Sequence, residues 1–247
     1  GGILVEASEF LDGIVNTATG DILGGKGTAL RIAGDIFDGG VANAGRIEGK
    51  RGIEFETAQV AGGLVNEAGG AIKGDDGPAV WVKGTVMAFG DGITNRGAIE
   101  GTYNGVLIES GTFAGGLFNA AGASILAHDG DAVFAGAAWS GDFENRGIVQ
   151  GAQHGFAYDG PSFDGAFKNS GHIDGDATGV SLIAGQVGGG FTNSGSINGE
   201  TGRGVSIDVG SWGTSEAHAD IVSTPGGVIT GGETGFFLHA LSVFGDF

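Results

Sequence analysis

The nonapeptide FTNSGSING at residues 191–199 decides the fold, because its pattern recurs as FKNSGHIDG (167–175), FENRGIVQG (143–151) and ITNRGAIEG (93–101). Each copy reads apolar-x-Asn-x-Gly, followed by a further apolar residue and a second Gly. Self-similarity at a regular spacing is the signature of a repeat architecture. The repeat therefore governs how every element of the chain is assigned.

The Asn anchors eight copies of the repeat, and Ser223 takes the equivalent place in a ninth. The eight anchors are Asn16, Asn43, Asn66, Asn95, Asn119, Asn145, Asn169 and Asn193. Neighbouring anchors lie 23 to 30 residues apart, a drift that is typical of a solenoid with loop insertions. In some copies the next apolar residue follows six residues after the anchor instead of four. This even insertion preserves the facing of later side chains, because strand side chains alternate with period 2.

The columns two and six residues before these eight anchors are apolar, and both share the parity of the Asn. If the apolar side chains point inward, the Asn does too. An inward Asn can hydrogen-bond the turn backbone and the Asn one coil away, about 4.8 Å distant. Stacked amides would then form a ladder. The alternative is that each Asn only tolerates a turn conformation, but that role does not need inward parity.

A further strand in each repeat alternates apolar and polar residues, as Val205, Ile207 and Val209 do against Ser206 and Asp208. Gly-rich corners separate the strands, because Gly reaches backbone angles that other residues adopt only with strain. The pattern predicts an all-β parallel β-solenoid with three short strands per coil and about ten coils. Residues 1–247 are expected to form a single solenoid domain.

Composition narrows the class of protein further, since the 247 residues include 56 Gly, 3 Pro and no Cys. So much Gly disfavours helices, and the absence of a strict Gly triplet excludes collagen. The absence of Cys removes disulfides and thiolate zinc sites. The net charge of −18 would repel nucleic acid, which is therefore not an expected partner. No apolar run is long enough to predict a membrane span.

Rows such as FTNSGSING, FKNSGHIDG and ITNRGAIEG resemble the N-x-G-x-I-x-G repeats of bacterial autotransporter passenger domains and related large β-helical adhesins. The resemblance extends from Phe10 to about Gly231. It implies a right-handed parallel β-helix that is secreted to a bacterial cell surface.

Both ends of the sequence read as incomplete coils. Ile3 and Val5 match the third strand of a preceding coil, and Phe244 to Phe247 match the residues just before the next anchor. Such ends would expose strand edges over an apolar core. We therefore expect Ile3, Val5, Phe244 and Phe247 to be stacking ends that contact adjoining coils or other copies of the chain.

Side chains suited to catalysis or metal binding do not cluster along the sequence. The five His are scattered, and none is spaced as His-x₃-His. HIDGD at 172–176 is more simply a solvated strand face than a divalent-cation site. GDD at 74–76 and DGD at 129–131 suit at most weak calcium binding through oxygen ligands. No catalytic residue, cofactor or metal ligand is therefore expected, and the chain is not expected to be an enzyme.

Outward columns support this expectation. One column contains Asp174 and Asn198 and another contains His172 and Ser196, but neither gathers acid, base and cation in neighbouring copies. A further column predicts that Glu144 and Lys168 pair across strands. An exposed apolar line, covered by an inserted loop or free for contacts, is expected at outward aromatic residues. These residues are Trp81, Phe134 and Phe237.

The sequence thus favours a stiff β-helical rod, acting as a structural or adhesive segment of a secreted bacterial surface protein. Its partners would be other copies of the protein, cell-surface ligands or matrix ligands. One alternative is a subunit of an extracellular filament that assembles by end-to-end coil stacking, as in a biofilm. The other, from a different class, is a carbohydrate-active β-helix enzyme.

Overall fold

The computed structural model describes residues 1–109, 111–214 and 218–246, and these form an all-β, right-handed parallel β-helix. The strands belong to one 20-stranded sheet and one 9-stranded sheet. The described part of the chain contains no helix that could cross a lipid bilayer. The solenoid predicted from the Asn repeat is confirmed.

The strands are numbered in chain order. They are β1 Ile3–Phe10, β2 Ile14–Asn16, β3 Asp21–Phe37, β4 Val41–Asn43, β5 Arg46–Val60, β6 Leu64–Asn66, β7 Ala71–Gly74, β8 Val80–Val82, β9 Ala88–Phe89, β10 Ile93–Asn95, β11 Ala98–Gly101, β12 Val106–Ile108, β13 Thr112–Phe113, β14 Leu117–Asn119, β15 Ser124–Ala127, β16 Val133–Ala135, β17 Ala138–Trp139, β18 Phe143–Asn145, β19 Ile148–Gly151, β20 His154–Phe163, β21 Phe167–Asn169, β22 His172–Gly175, β23 Thr178–Val187, β24 Phe191–Asn193, β25 Ser196–Gly199, β26 Arg203–Trp212, β27 Ile221–Ser223, β28 Val228–Gly231 and β29 Thr234–Val243.

One coil visits four strand positions, which β6, β7, β8 and β9 show separately. We call them the Asn, Ile, Val and Phe positions after their inward residues. The Asn positions build the 9-stranded sheet, and the other three build the larger sheet, where they fuse into single strands in some coils. The expected three strands per coil become four, because a Gly-rich corner separates the Phe column from the column two residues before the Asn.

The solenoid has about eight turns rather than ten. The 9-stranded sheet contains one strand from each repeat, and nine strands enclose eight complete turns. Residues before the first of these strands and after the last complete only part of a coil. The stack between the first and last strand is therefore about 40 Å long at the usual strand spacing.

The even insertions are absorbed at one corner without disturbing the register. In the last copy, the extra residues form the turn Thr224–Gly227, which is closed by a 2.8 Å backbone hydrogen bond between its end residues. Pro225 and Gly226, with φ of 98° at the Gly, suit a type II turn. Beyond the turn, Ile229 still pairs with Ile197 of the preceding coil. The predicted preservation of facing is confirmed.

Stacked aromatic side chains fill much of the core. Trp139 lies between Phe113 and Phe163, with ring centroids 4.6 and 5.5 Å away. In a parallel column, Phe167 and Phe191 stack at 4.8 Å with an interplanar angle of 5°. Each such pair contributes about 0.5–1.5 kcal/mol beyond the burial of its area. The same position in successive coils lies one strand spacing apart, so a repeat that places an aromatic residue at one position of each coil stacks the rings on one another.

Candidate functional site

The inward Asn side chains form a continuous ladder along the solenoid. The Nδ2 group of each Asn donates to Oδ1 of the Asn one coil further on, at 2.8–2.9 Å, from Asn16 through to Asn193. All eight side chains are buried, with 0–6% of their surface exposed. At the next coil Asn193 pairs in register with Ser223, and the amide ladder ends there.

Each ladder amide also binds the backbone of the corner that follows it. The amide N–H of Gly147 donates to Asn145 Oδ1 at 3.1 Å, and Asn169 Nδ2 donates to the carbonyl of Gly171 at 3.4 Å. Asn169 Nδ2 also reaches the carbonyl of Ser196 in the next coil, at 3.2 Å. Buried polar groups are stable only when hydrogen-bonded, and here they are bonded along and across the axis. The predicted ladder is confirmed, and the simpler role as a turn residue does not account for these bonds.

Of the predicted stacking ends, Ile3 and Val5 lie in β1, where they pair with Leu30 and Ile32 of β3. Phe244 directly follows the end of β29. Ile3 is 45% exposed and Phe244 is 37% exposed. Phe247 lies outside the described residues. The role of these residues in stacking stays a prediction.

An outward column of apolar side chains crosses three adjacent coils. Trp81 pairs with Leu107, which pairs with Phe134 in the next coil, and all three side chains are half-buried. Cations rather than an inserted loop flank the indole. The Cζ atom of Arg51 lies 4.8 Å from its ring centroid, and Nζ of Lys83 lies 4.9 Å from it.

A groove of about 480 Å³ opens beside this column. We call it the Trp81 groove; its walls are formed by Lys50, Arg51, Asp76, Gly77, Pro78, Trp81, Tyr103, Asn104 and Leu107. Its lining combines apolar, aromatic and charged side chains from strands and corners of three coils. Tyr103 is 51% exposed, so the groove presents an aromatic ring to solvent at its rim. Such a mixture is typical of a contact surface.

Next to the Trp81 groove, the outward residue Glu54 is buried by the cations around it, with 3% of its surface exposed. It accepts from Lys83 at 2.8 Å and from the Thr28 hydroxyl at 2.9 Å, and Arg51 and Arg31 lie 3.5 and 3.8 Å away. Alternation in the sequence predicts an exposed side chain here. The cations of neighbouring coils overturn that expectation, because they cover the carboxylate while they pair with it.

Glu56, two residues further along, belongs to the same network. Arg31 binds it at 2.5 Å and Lys83 at 3.2 Å. Burial alone would raise the pKa of Glu56, but hydrogen bonds from these two cations outweigh it and hold the pKa below its usual value. The network therefore keeps Glu56 charged in the folded state.

The ion pair predicted between Glu144 and Lys168 does not form. Glu144 and Lys168 are register neighbours, but Lys168 binds Asp142 at 2.5 Å and Glu144 binds Arg146 at 2.6 Å. The predicted cross-strand pair is wrong, because each side chain reaches a partner of opposite charge elsewhere on the same face.

The candidate calcium motifs do not assemble a site in the described residues. Asp75 binds Lys73 at 3.2 Å and Asp76 binds Lys50 at 3.1 Å, while Asp131 binds His154 at 2.7 Å. The part of the chain that the structure describes contains no group of three or more His, Asp or Glu side chains able to hold a metal ion.

A second polar cluster lies on the Ile positions of two adjacent coils, and we call it the His172 patch: His172, Asp174, Ser196 and Asn198. His172 pairs in register with Ser196, and Asp174 pairs with Asn198. His172 Nε2 lies 2.5 Å from Asp174 Oδ2, and its Nδ1 lies 2.5 Å from Ser196 Oγ. A hydroxyl, an imidazole and a carboxylate are thus connected in series on the outer surface.

In the sequence these residues fall in two separate columns, and nothing in the repeat pattern alone predicts contact between the columns. The expectation that neither column alone gathers acid, base and cation in neighbouring copies is not contradicted, but the two columns together bring an acid and a base into contact at this place. The signal was present, since His172 and Ser196 occupy the same column one repeat apart, and Asp174 follows His172 by two residues on the same face. The side-chain conformations that close the contacts depend on the folded structure.

No protein-family model matches the chain, and neither a curated protein nor a solved structure is significantly similar to it.

Proposed function

We propose that the chain is a structural, adhesive rod of a secreted bacterial surface protein, with a mechanical rather than an enzymatic main role. The observation that carries the proposal is the continuous Asn ladder. It connects eight buried side chains along the axis, so each coil is bonded to its neighbours through its core as well as through its strands. A stack of coils bonded in this way suits a stiff spacer.

The Trp81 groove supports an adhesive role for the side of the rod. Four of the 11 Lys and Arg residues of the chain lie in the groove or in the adjoining network, although the net charge is −18. These four are Arg31, Lys50, Arg51 and Lys83. We propose that this face contacts a ligand of a cell surface or a matrix. Secretion to a bacterial surface rests on the resemblance of the repeats to autotransporter passengers and β-helical adhesins.

The proposal is tested by displaying the chain on a non-adherent bacterial strain and measuring attachment to host cells and to matrix-coated surfaces. We expect attachment above that of the undisplayed strain, and we expect a Trp81→Ala/Leu107→Ala variant to lower it. The matched control is Ser181→Ala/Ser206→Ala, which changes two polar residues in the same outward column. Attachment equal to that of the undisplayed strain would overturn the proposal.

A filament subunit is the second candidate, favoured by apolar side chains on the last coil that are exposed or half-buried. Phe236 and Leu238 are half-buried, and Leu241 is 84% exposed. Coil-on-coil stacking would cover this surface, and a head-to-tail contact builds open filaments unless its rotation closes a ring. Electron microscopy and sedimentation of the purified chain test this: fibres of coil width support it, and a monomer at high micromolar concentration rejects it.

The carbohydrate-active enzyme stays an alternative from a different class. The His172 patch is the observation that favours it, since the patch holds the residue types that acyl transfer uses. Turnover of a polysaccharide by the purified rod would distinguish this alternative from a purely mechanical role.

A further inference from the structure

We propose that the His172 patch is an acyl-transfer site that hydrolyses short-chain acyl esters of polyhydroxylated alcohols. The inference goes beyond the mechanical role proposed above and does not depend on it. It rests on the serial contact of Ser196, His172 and Asp174, on the exposed apolar residues beside them and on a neighbouring polar cleft.

The contacts determine which nitrogen of His172 acts as the base. A carboxylate only accepts hydrogen bonds, so Nε2 of the neutral imidazole carries the proton and donates it to Asp174 Oδ2 at 2.5 Å. Nδ1 is then an acceptor, and the Ser196 hydroxyl donates to it at 2.5 Å. A nucleophile bonded to a base, with the base oriented by a third group, is the arrangement that activates a serine.

The two ring nitrogens exchange the roles that they have in the chymotrypsin-type triad, where Nε2 faces the serine. Either nitrogen of a neutral imidazole can accept the serine proton when the other carries a hydrogen. Asp174 is a positioning residue, because it acts on the tautomer and orientation of His172 and does not touch the substrate.

An amide donor and two exposed apolar side chains lie on the same face as Ser196. Asn198 is two residues beyond Ser196 on the same face, and the hydroxyl of Thr230 donates to its Oδ1 at 2.7 Å. Among the described residues, the Nδ2 group of Asn198 has no hydrogen-bond acceptor, so it is available to bind a developing oxyanion. Ile148 and Val228 flank the pair in the same column and are 45% and 51% exposed.

A cleft of about 230 Å³ lies at the corner that precedes both strands of the patch. Its lining residues are Glu144, Lys168, Asn169, Ser170, Thr192 and Ser194. Hydroxyl, amide and charged groups suit a leaving alcohol with several hydroxyls. The exposed apolar residues of the patch suit a short acyl group. The combination is the reason for assigning acyl esters of polyols as the substrate class.

The reaction balances without a cofactor. Ser196 Oγ bonds to the acyl carbon while its proton passes to His172 Nδ1. The bond between the acyl carbon and the alcohol oxygen then breaks, and that oxygen takes the proton from Nδ1. Water next attacks the acyl carbon of the acyl-serine and gives one proton to Nδ1. The bond between the acyl carbon and Ser196 Oγ then breaks, and Oγ takes the proton back from Nδ1. The ester and one water have become an acid and an alcohol, and Ser196 and His172 are restored.

The experiment incubates the full chain with p-nitrophenyl acetate and with glucose pentaacetate. It follows p-nitrophenol and acetate release, and locates acetylated peptides by mass spectrometry. We expect acetylation at Ser196, and a rate at least tenfold lower in Ser196→Ala and His172→Ala. Asp174→Asn should lower kcat while KM stays unchanged.

The matched control is His239→Ala, which removes another surface His that contacts an Asp at 2.8 Å and that, within the described residues, has no hydrogen bond to a serine. It should leave the rate unchanged. Equal losses in His239→Ala and His172→Ala, or acetylation away from Ser196, would overturn the inference by showing only surface imidazole chemistry. So would a wild-type rate equal to that of Ser196→Ala. Circular dichroism checks that each variant folds, and the attachment assay tests the mechanical role independently.

Discussion

Replacement of Asn169 by Ala tests the ladder most directly, because Asn169 lies in its interior. Its Oδ1 accepts from Asn145 at 2.8 Å, and its Nδ2 donates to Asn193 Oδ1 at 2.8 Å. The substitution removes the acceptor of Asn145 Nδ2 and the donor to Asn193 Oδ1, while both neighbouring side chains stay buried. An unsatisfied buried polar group costs about 1–3 kcal/mol. Asn145 keeps a bond to the carbonyl of His172 at 3.1 Å. We therefore take the low end for each group and expect a loss of about 2–3 kcal/mol.

The assay is urea unfolding followed by far-UV circular dichroism, together with native-state hydrogen exchange of the coils around residues 167–199. Exchange is needed because solenoid coils can open locally without global unfolding. Two variants set the scale. Asn16→Ala breaks one ladder bond instead of two and should cost about 1 kcal/mol. Thr192→Ala changes an outward residue beside the ladder and should stay within about 0.5 kcal/mol of the parent.

An Asn169→Ala stability within about 0.5 kcal/mol of the parent would refute the reasoning, since surface substitutions have effects of that size. Equal losses for the interior and terminal Asn would refute it as well. Such results would mean that water or the corner backbone replaces the missing amide without cost. Unchanged hydrogen exchange in the neighbouring coils would lead to the same conclusion.

Three further outcomes follow from the geometry. Gly122→Ala should lower the stability by about 1–2 kcal/mol, because φ is 82° at Gly122 although no atom lies within 4 Å of an added Cβ. The control Gly27→Ala should leave the stability unchanged, because φ is not positive there and the nearest atom lies 3.7 Å from an added Cβ. Equal melting temperatures of the two variants would contradict this. Phe167→Ala should lose about 3–5 kcal/mol in urea unfolding, against little change for exposed Val15→Ala. Despite its burial, hydrogen bonds from two cations hold the pKa of Glu56 below its usual value. Its stabilising contribution is therefore present above the unfolded pKa, about 4.3, and is lost as pH falls through the folded one. Glu56→Gln should reduce the acid sensitivity of unfolding, and an unchanged pH slope would contradict it.

Much of the fold could be predicted because the repeat carries redundant information. Eight aligned Asn anchors and the apolar columns before them predict which side chains point inward, and strand alternation needs no knowledge of distant contacts. The number of turns was overestimated because incomplete coils at both ends were counted. The number of strands per coil was underestimated, because shared parity does not reveal a corner between two sheets.

The candidate sites were predicted less well than the core. Burial of Glu54 depends on Lys83 and Arg31, which reach it from the following and the preceding coil and cover it only once the coils are stacked. The pairing of Lys168 with Asp142 likewise depends on which of several nearby carboxylates the flexible ammonium reaches. Outward positions follow from the sequence, but partners at those positions do not.

By itself, the sequence determined the stacking of coils and the Asn ladder. Those features follow from periodicity, since every copy places the same residue at the same point of its coil and the strand spacing brings equal positions together. Only the tertiary structure decided that Ser196, His172 and Asp174 are in contact and that cations enclose Glu54. These arrangements depend on rotamers chosen among neighbours of similar energy, and a repeat pattern specifies the facing of a side chain but not its rotamer.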